Sequence, residues 1–248
     1  MAHAQGRRRY PLVVSYAEAT KRETVEKHQS DLLELQEMSR LWSAIYFYVE
    51  ERVSEQDALV PLHECLVESG TSLVAACHGL YRAAEASLRS LLELALSAVL
   101  FDIDQSAIDE YERRDRTPPF RVLKRVLDSR RIAVARRKLW RARCRRVSKD
   151  LRSSMVDRLY HDELSKSVHA HFDTWSHEMA PEYDRQAFRH WRARFRLVHV
   201  ISLGVVLCHF TGIVVWMREQ QRSDPAWLNL PWDALFGLKH RRLLGLAD

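Results

Sequence analysis

The sequence predicts an all-α protein, and three observations carry this prediction. Glycine and proline number only 7 each among 248 residues, and both are unfavourable inside helices. Long stretches are rich in Ala, Leu, Glu, Arg and Lys, with apolar residues recurring at steps of three and four. No run of alternating apolar and β-branched residues is long enough to predict a sheet. We expect a single helical bundle with long buried central helices.

The chain is expected to form three parts. Residues 1–14 contain Arg7, Arg8 and Arg9 and are predicted to be a flexible basic arm. Residues 15–221 form the helical bundle domain. Residues 222–248 contain two prolines and form a C-terminal tail with a short amphipathic helix.

The first half of the bundle is predicted as three helices. A long helix begins near Ser15, with a charged first half and an aromatic second half that packs. A short helix covers about Gln56 to Glu68 and carries Pro61 near its first turn, where a missing N–H is tolerated. Gly70 then separates it from a central helix, Ser72 to Phe101, which is apolar around most of its circumference and is therefore expected to be buried.

The second half begins with a segment for which Asp104 is the predicted N-cap. Thr117-Pro118-Pro119 breaks the chain, and helix resumes at Phe120. The final long helix covers about Asp184 to Gln221, and its part Arg194–Met217 is expected to be the second buried helix.

Residues 197–217 lack full charges and are long enough to cross a bilayer. They contain two histidines, and buried helices of soluble bundles can have similar hydropathy. A central buried helix is the favoured interpretation, and a membrane-associated protein is the alternative.

Two polar stripes interrupt the apolar pattern. On a helix, each set of side chains would share one face. The central helix carries the first stripe: His78, Arg82, Glu85, Arg89 and Glu93. The segment Arg158–His171 carries the second: Arg158, His161, Asp162, Ser165 and His169. If the two helices are neighbours, the stripes form a polar seam, which is either a structural network or a site with His as acid or base and Arg as phosphate ligand.

Short motifs in these segments resemble a known group of bacterial helical domains. Ser87–Glu93 reads SLRSLLE, Pro119-Phe120 starts a helix, and Leu159–Ala170 reads LYHDELSKSVHA. The sequence over about residues 30–215 is similar in layout to the HEPN superfamily, whose helical bundles include RNA-cleaving toxins and antiphage abortive-infection proteins. The pattern positions are occupied by Arg89, Glu93, Tyr160, Ser165 and His169. The spacing departs from the pattern, because Tyr160 lies four residues before Leu164 instead of three.

The resemblance also directs attention to an Arg followed by four to six residues and a His. Arg185 to His190 and Arg194 to His199 both fit this spacing. Arg185 to His190 fits better, because Gln186 supplies the polar residue that usually follows the Arg. Such a pair would activate the RNA 2′-OH and stabilise the phosphorane, usually across a homodimer, and we therefore expect a homodimer.

A strongly basic stretch lies between the two stripes. Residues 121–152 hold 14 Arg or Lys against two acids, a local balance of +12 in a chain of net charge +6. The stretch is either a solvated surface or a binding surface for RNA or another polyanion. The candidate binding residues are Arg136, Arg137, Lys138, Trp140, Arg141 and Arg145.

Other classes of function find little support in the sequence. Four widely spaced cysteines with no CxxC are typical of packed thiols in a cytoplasmic protein, and the first residues lack the apolar core of a secretory signal. His169, His171, Asp173 and His177 do not have helical metal-ligand spacing, because i and i+2 point apart. Gly-rich phosphate loops and the common catalytic motifs are missing. We expect no metal and no cofactor.

These observations lead to one main hypothesis and two alternatives. The protein is expected to bind RNA or to cleave it without metal, as a bacterial antiphage defence or toxin component. The candidate catalytic residues are Arg89, Glu93, His161, Ser165, His169, Arg185 and His190. The alternatives are a non-enzymatic helical interaction module with a structural polar seam and a protein partner, and the membrane-associated protein described above.

Overall fold

The structure, a computed structural model, describes residues 3–52, 58–114, 118–141, 149–165, 183–210 and 212–223. Within these ranges the side chains of residues 3–14, 52, 114, 138–141, 214, 218 and 221–223 are not described. The described part of the chain is helical with no strand, as the sequence predicts.

Nine α-helices, one 3₁₀ turn and one π-helical turn contain most of the described residues. The helices are α1 (His3–Arg52), α2 (Leu59–Cys77), α3 (Tyr81–Ile103), α4 (Gln105–Arg114), α5 (Phe120–Leu123), α6 (Arg130–Arg141), α7 (Ser153–Arg158), α8 (Arg185–His209) and α9 (Gly212–Ser223). A 3₁₀ turn, Lys124–Asp128, follows α5, and a π-helical turn, Leu159–Leu164, follows α7. Residues 3–14, expected as a separate arm, continue the helical backbone of α1.

Four long helices, α1, α2, α3 and α8, form the core of the bundle. Helix α2 runs antiparallel to α1, since Ser39 contacts Ser69 while Tyr46 contacts His63. It forms an antiparallel hairpin with α3. The largest fully buried side chains lie between these four helices: Trp42, Trp191, Phe188, Phe195, Leu62, Leu88, Leu91 and Leu92.

Helix α8 runs parallel to α3. Arg194 pairs with Glu85 near the beginning of α3, and His209 Nε2 lies 2.5 Å from Asp102 Oδ2 near its end. A parallel pair requires the chain to return from one end of the bundle to the other. The elements α4 to α7 lie on that return, and α4, α5 and the turns that follow α5 and α7 contact α3.

The predicted central helix Ser72–Phe101 is wrong as a single helix. Helix α2 ends at Cys77, and α3 begins only at Tyr81. Gly79 lies between them with φ of 75°, a left-handed conformation that ends a helix and that glycine adopts without strain.

The predicted break at Gly70 is also wrong, because α2 passes through this residue. The expected short helix and residues 72–77 of the expected central helix are therefore parts of one helix. An isolated glycine inside a helix costs only about 1 kcal/mol relative to alanine, which the packing of α2 can offset.

The C-terminal boundary of the second buried helix differs as well. Helix α8 begins at Arg185, where Asp184 Oδ1 accepts hydrogen bonds from the backbone N–H groups of Gln186 and Ala187. It ends at His209, and α9 starts at Gly212, so residues 197–217 are divided between two helices. In the described residues, the helices lack the combination of length and apolarity needed to cross a bilayer.

Two sequence predictions of local structure are confirmed. Asp104 caps α4 through its Oδ1, which accepts from the Ser106 backbone N–H at 3.1 Å and from Ser106 Oγ at 2.6 Å. Helix resumes at Phe120 after Pro119.

Of the four cysteines, Cys65, Cys77 and Cys208 lie in the described ranges and are free thiols.

Candidate functional site

A cavity of about 560 Å³ lies on the side of α3 that α5, α7 and their following turns cover. Three cationic side chains, one carboxylate, one histidine and several aromatic or polar groups line it. Its lining residues are Arg89, Pro119, Phe120, Arg121, Lys124, Asp157, Tyr160, His161 and Ser165. Both predicted stripes contribute to this cavity, so the predicted seam is present in part.

The inner wall of the cavity is a closed polar cluster. Arg89 Nη2 donates to the Tyr160 hydroxyl at 2.6 Å, and Arg89 Nε donates to Glu93 Oε1 at 3.3 Å. Tyr160 in turn donates its hydroxyl proton to Glu93 Oε1. The guanidinium also lies 4.6 Å from the centre of the Tyr160 ring. Tyr160 and Glu93 thus hold the Arg89 side chain in one orientation in the wall of the cavity.

Burial of Tyr160 has a chemical consequence. Desolvation, and next the hydrogen bond to Glu93, raise the pKa of Tyr160 to about 12, while Arg89 acts in the opposite direction. The phenol therefore stays protonated near neutral pH and remains a hydrogen-bond donor. Phe120 stacks on the same ring with centroids 3.7 Å apart, which fixes the ring plane.

The outer wall carries exposed ionisable groups. Asp157 Oδ1 lies 3.1 Å from Lys124 Nζ and 3.7 Å from His161 Nε2. The side chains of Lys124, Asp157 and His161 are 36%, 40% and 58% exposed, so a solute can reach all three. Arg121, one turn before Lys124, is also exposed.

The π-helical turn carries two residues that line the cavity, Tyr160 and His161, which are consecutive in sequence. Ser165 Oγ donates to the Tyr160 carbonyl at 2.7 Å across five residues. From this turn, the Tyr160 hydroxyl reaches Arg89 of α3.

The predicted catalytic residues separate into three groups. Arg89, His161 and Ser165 line the cavity, and Glu93 binds Arg89 behind it. Arg185 and His190 are exposed near the start of α8. Glu85 of α3 faces Arg194 of the parallel helix α8. His190 lies four residues before Arg194, and Arg89 lies four residues after Glu85. Along the helix axes, His190 and Arg89 are therefore about 12 Å apart. His169 lies outside the described residues, as do His171, Asp173 and His177.

The second Arg-to-His match, Arg194 to His199, belongs to the core. Arg194 is paired with the buried Glu85. His199 is fully buried, and its Nε2 lies 2.7 Å from Ser69 Oγ. Desolvation lowers the pKa of His199 to about 4, which keeps it neutral and structural.

Other members of the first stripe have different partners. His78 follows the end of α2 and lies 3.8 Å from Glu18 of α1. Glu85 binds α8 and takes no part in the cavity lining. The expectation that the whole stripe forms one seam is therefore wrong, because the turn at Gly79 and the contact with α8 divide it.

The basic stretch supplies helix α6, which packs near the ends of α3 and α8. Arg131 Nη1 lies 3.4 Å from His209 Nε2 and 4.0 Å from Asp102 Oδ2. Of the candidate binding residues, Arg137 is exposed and Arg136 is half-buried. The backbone of Lys138, Trp140 and Arg141 is helical, their side chains are not described, and Arg145 lies outside the described residues.

Sequence reasoning missed three charged groups that line the cavity: Arg121, Lys124 and Asp157. Arg121 and Lys124 were counted in the basic stretch, but their spacing of three, directly after Pro119-Phe120, could have indicated two cations on one helical face. Asp157 lies four residues before His161, which could have indicated a pair on one face. Among the described residues, His, Cys, Asp and Glu side chains do not form a group of three suited to metal binding.

Comparison with protein-family models, with curated proteins and with solved structures gave no significant match.

Proposed function

We propose that the protein binds RNA at this cavity and cleaves it there, with His161 as the general base. The observation that carries the proposal is the convergence of His161 with Lys124, Arg121 and Arg89 on one open cavity. Metal-independent RNA cleavage needs a base near the 2′-OH and cations near the phosphate. The motif resemblance to HEPN domains supports RNA as the substrate, since Arg89, Glu93, Tyr160 and Ser165 of its pattern all lie at this cavity. This resemblance would place the protein among bacterial toxins or antiphage defence components.

In the proposed reaction, Arg121 and Lys124 bind the non-bridging oxygens of a phosphodiester. His161 removes the proton of the adjacent 2′-OH, the 2′ oxygen bonds to phosphorus, and the bond from phosphorus to the 5′ oxygen breaks. The 5′ oxygen takes a proton from solvent. The products are a 2′,3′-cyclic phosphate and a 5′-hydroxyl. Arg89, held by Tyr160 and Glu93, adds positive charge at the base of the cavity without entering proton transfer.

Helix α6 supports the choice of a long polyanion. It carries six Arg or Lys and no acid over Arg130–Arg141. Phosphate contacts of this kind give affinity without base specificity and weaken steeply with salt. We expect replacement of Arg136 and Arg137 by Gln to weaken RNA binding and to flatten its dependence on salt.

The test is cleavage of an end-labelled single-stranded RNA by the purified chain in the presence of EDTA. His161→Ala should lower the cleavage rate by about 10²–10⁴-fold, the usual contribution of a general base. Arg121→Gln with Lys124→Gln should weaken RNA binding. His63→Ala, an exposed histidine on α2, is the matched control and should cleave normally.

Three outcomes would redirect the proposal. Normal cleavage by His161→Ala together with inactive His190→Ala would move the site to the start of α8. Cleavage of an RNA with a 2′-deoxy residue at the scissile position would exclude 2′-OH attack. Salt-sensitive binding without cleavage would favour the non-enzymatic interaction module, for which the closed cluster of Arg89, Glu93 and Tyr160 would be a structural network.

A further inference from the structure

The outer side of α2 carries three exposed valines in one line. Val60, Val67 and Val74 are 59%, 45% and 58% exposed. They are spaced by seven residues, so each lies about 20° from the previous one around the helix, and the line is about 21 Å long. Exposed apolar side chains that are scattered singly are normal on a protein surface, whereas a continuous line is typical of an interaction surface.

Helix α1 extends this line at its Val60 end. The centroid of the Tyr46 ring lies 5.7 Å from that of His63, one helical turn after Val60, and 5.7 Å from that of Phe47. Phe47 is itself 49% exposed. The exposed apolar side chains of α1 and α2 therefore form one surface at this end of the bundle. We call it the valine face, with the residues Phe47, Val60, Val67 and Val74.

The charge of α2 restricts the kind of partner that fits the valine face. The helix carries Glu64 and Glu68 and no Lys or Arg, in a chain with 39 such cations. Glu64 is 47% exposed and lies about 60° from Val67 around the helix. These carboxylates disfavour RNA as the partner. Two copies packed through this face would bring four glutamates together with no Lys or Arg from either α2, and like charges across an interface are costly. The valine face therefore fits an apolar partner that carries a cation.

Residues 232–246 of the same chain have this combination. They lie outside the described residues and read WDALFGLKHRRLLGL. On the amphipathic helix that the sequence predicts for this tail, five apolar side chains fall within about 100° of one another. They are Trp232, Leu235, Phe236, Leu243 and Leu246. Lys239 lies at the middle of the same face. This face is 14 residues long, the same separation as from Val60 to Val74, so the two apolar lines match in length.

The described part of the chain ends close to the valine face. The Trp216 ring of α9 packs on the Tyr48 ring of α1 with centroids 5.7 Å apart, and Tyr48 is the neighbour of Phe47 in sequence. Helix α9 ends at Ser223, seven residues or about 10 Å beyond Trp216. Residues 224–231 can span up to about 26 Å when extended, which is enough for Trp232 to reach the Phe47 end of the valine face.

We propose that residues 232–246 pack against the valine face of their own chain, with Lys239 beside Glu64. The apolar side of the segment covers the three valines, and Trp232 lies next to Phe47. A cation at the centre of an apolar face needs an anion when its neighbours are buried, and Glu64 lies next to the central valine. The valine face shares no lining residue with the cavity proposed for RNA, so the two proposals are independent.

Carbodiimide cross-linking of the full chain tests this pairing, because the reagent joins an amine directly to a carboxylate without a spacer. Lys239 is the one lysine of residues 224–248. Digestion and mass spectrometry should identify a cross-link between Lys239 and Glu64 in the wild-type chain. Val67→Arg places a cation at the centre of the valine face, and the yield of this cross-link should fall about 10-fold or more. Val25→Arg changes an exposed valine of α1 outside the valine face and should retain the wild-type yield.

Trypsin gives a second measurement, because it cuts after Arg241 and Arg242 only where the chain is accessible. Cleavage at these two residues should be about 10-fold slower in the wild-type chain than in Val67→Arg, since the packed segment must detach before it is cut. Val25→Arg should again behave as the wild type. Urea unfolding of both variants checks that the bundle itself is retained.

Three results would each overturn the inference. The first is the absence of the Lys239 to Glu64 cross-link in the wild-type chain. The second is an equal cross-link yield, or equal cleavage by trypsin, in the wild-type and Val67→Arg chains. The third comes from a mixture of isotope-labelled and unlabelled protein: cross-linked peptides that combine the two would assign the valine face to the tail of a second copy.

Discussion

At the scale of single residues, the buried polar groups of the core form a defined hydrogen-bond chain. His199 Nδ1 lies 2.9 Å from the Phe195 carbonyl, so the neutral ring donates there and accepts at Nε2 from Ser69. Because Ser69 donates its one hydroxyl proton to His199, its oxygen accepts a hydrogen bond from Ser39, whose Oγ lies 2.7 Å away. The chain connects α8, α2 and α1, and desolvation by burial favours the neutral form of the His199 ring at its end.

The first stability prediction follows from this neutral histidine. Desolvation lowers the pKa of His199 in the folded protein to about 4, below its ordinary value of 6.5. As the pH falls below 6.5, the unfolded chain therefore binds a proton at this position before the folded chain does. His199 should lower the free energy of unfolding by about 1.4 kcal/mol per pH unit between pH 6.5 and 4, and should contribute no slope above pH 6.5.

Urea denaturation at several pH values, compared between the wild-type chain and His199→Gln, measures this contribution. The variant should be less stable at pH 7.5 and should lose stability less steeply below pH 6.5. His190→Ala, on an exposed face of the same helix, should retain the wild-type slope. Equal slopes for the wild-type and His199→Gln chains would contradict the assignment of a neutral buried ring.

At the scale of elements, two glycines show why residue type alone did not place the helix boundaries. Gly79 ends α2 with a positive φ of 75°, and Gly70 lies inside the same helix with open space where a Cβ would stand. Both precede or follow segments of good helix formers. The two glycines behave differently because the chain must reverse at Gly79 so that α3 can pack against α2. The residues next to each glycine do not indicate where this reversal occurs.

The two glycines should respond in opposite ways to alanine. Gly79→Ala should destabilise the protein by about 1–2 kcal/mol, the cost of a left-handed backbone in a residue with a Cβ. Gly70→Ala should stabilise it by about 0.5–1 kcal/mol, because alanine restricts the unfolded chain and fits a helix. Thermal or urea unfolding of the two variants measures both effects, and loss of stability in Gly70→Ala would show that α2 is not a continuous helix.

The π turn is the element that the α-helical period could not predict. Within this turn, Tyr160 stacks on Phe120, and His161 lies edge-on to the same Phe120 ring. Of the face predicted for His161, Asp162 and Ser165, His161 and Ser165 line the cavity together with Tyr160.

At the scale of the whole molecule, polar contacts join the parallel helices α3 and α8 at two positions along their length. Glu85 is 5% exposed and binds Arg194, and His209 binds Asp102 about four turns further along. Burial lowers the pKa of His209, although Asp102 acts in the opposite direction. Both contacts join segments separated by more than 100 residues.

Removal of the first of these contacts should be costly. Glu85→Ala leaves Arg194 without its buried partner and should destabilise the protein by about 2 kcal/mol, less than the roughly 3–5 kcal/mol of a fully buried pair because Arg194 keeps part of its solvent contact. Glu37→Ala removes the half-buried partner of the exposed Arg40 on α1 and should change stability by about 0.5 kcal/mol or less. Similar losses in the two variants, measured by urea unfolding, would show that Glu85 is not a buried link.

The sequence by itself determined the helical class, the N-cap at Asp104, the helix start at Phe120 and the apolar faces that became the core. These features depend on local propensity and period, which short segments carry. It also indicated Arg89, Glu93, His161 and Ser165 as chemically notable groups. It did not indicate that Glu85 would bind Arg194 or that Lys124 would face Asp157, because those pairs join segments far apart in the chain.

Tertiary structure alone decided which polar residues meet. The reversal at Gly79, the parallel packing of α8 on α3 and the π turn together divided one predicted stripe between a core ion pair and a cavity. Each of these depends on the free energy of packing the whole bundle, in which a weak local preference is overridden by the burial of long helices. For the same reason, the cavity with Lys124, Asp157 and His161 could be recognised only after the fold had brought residues 119–124 and 157–165 together next to α3.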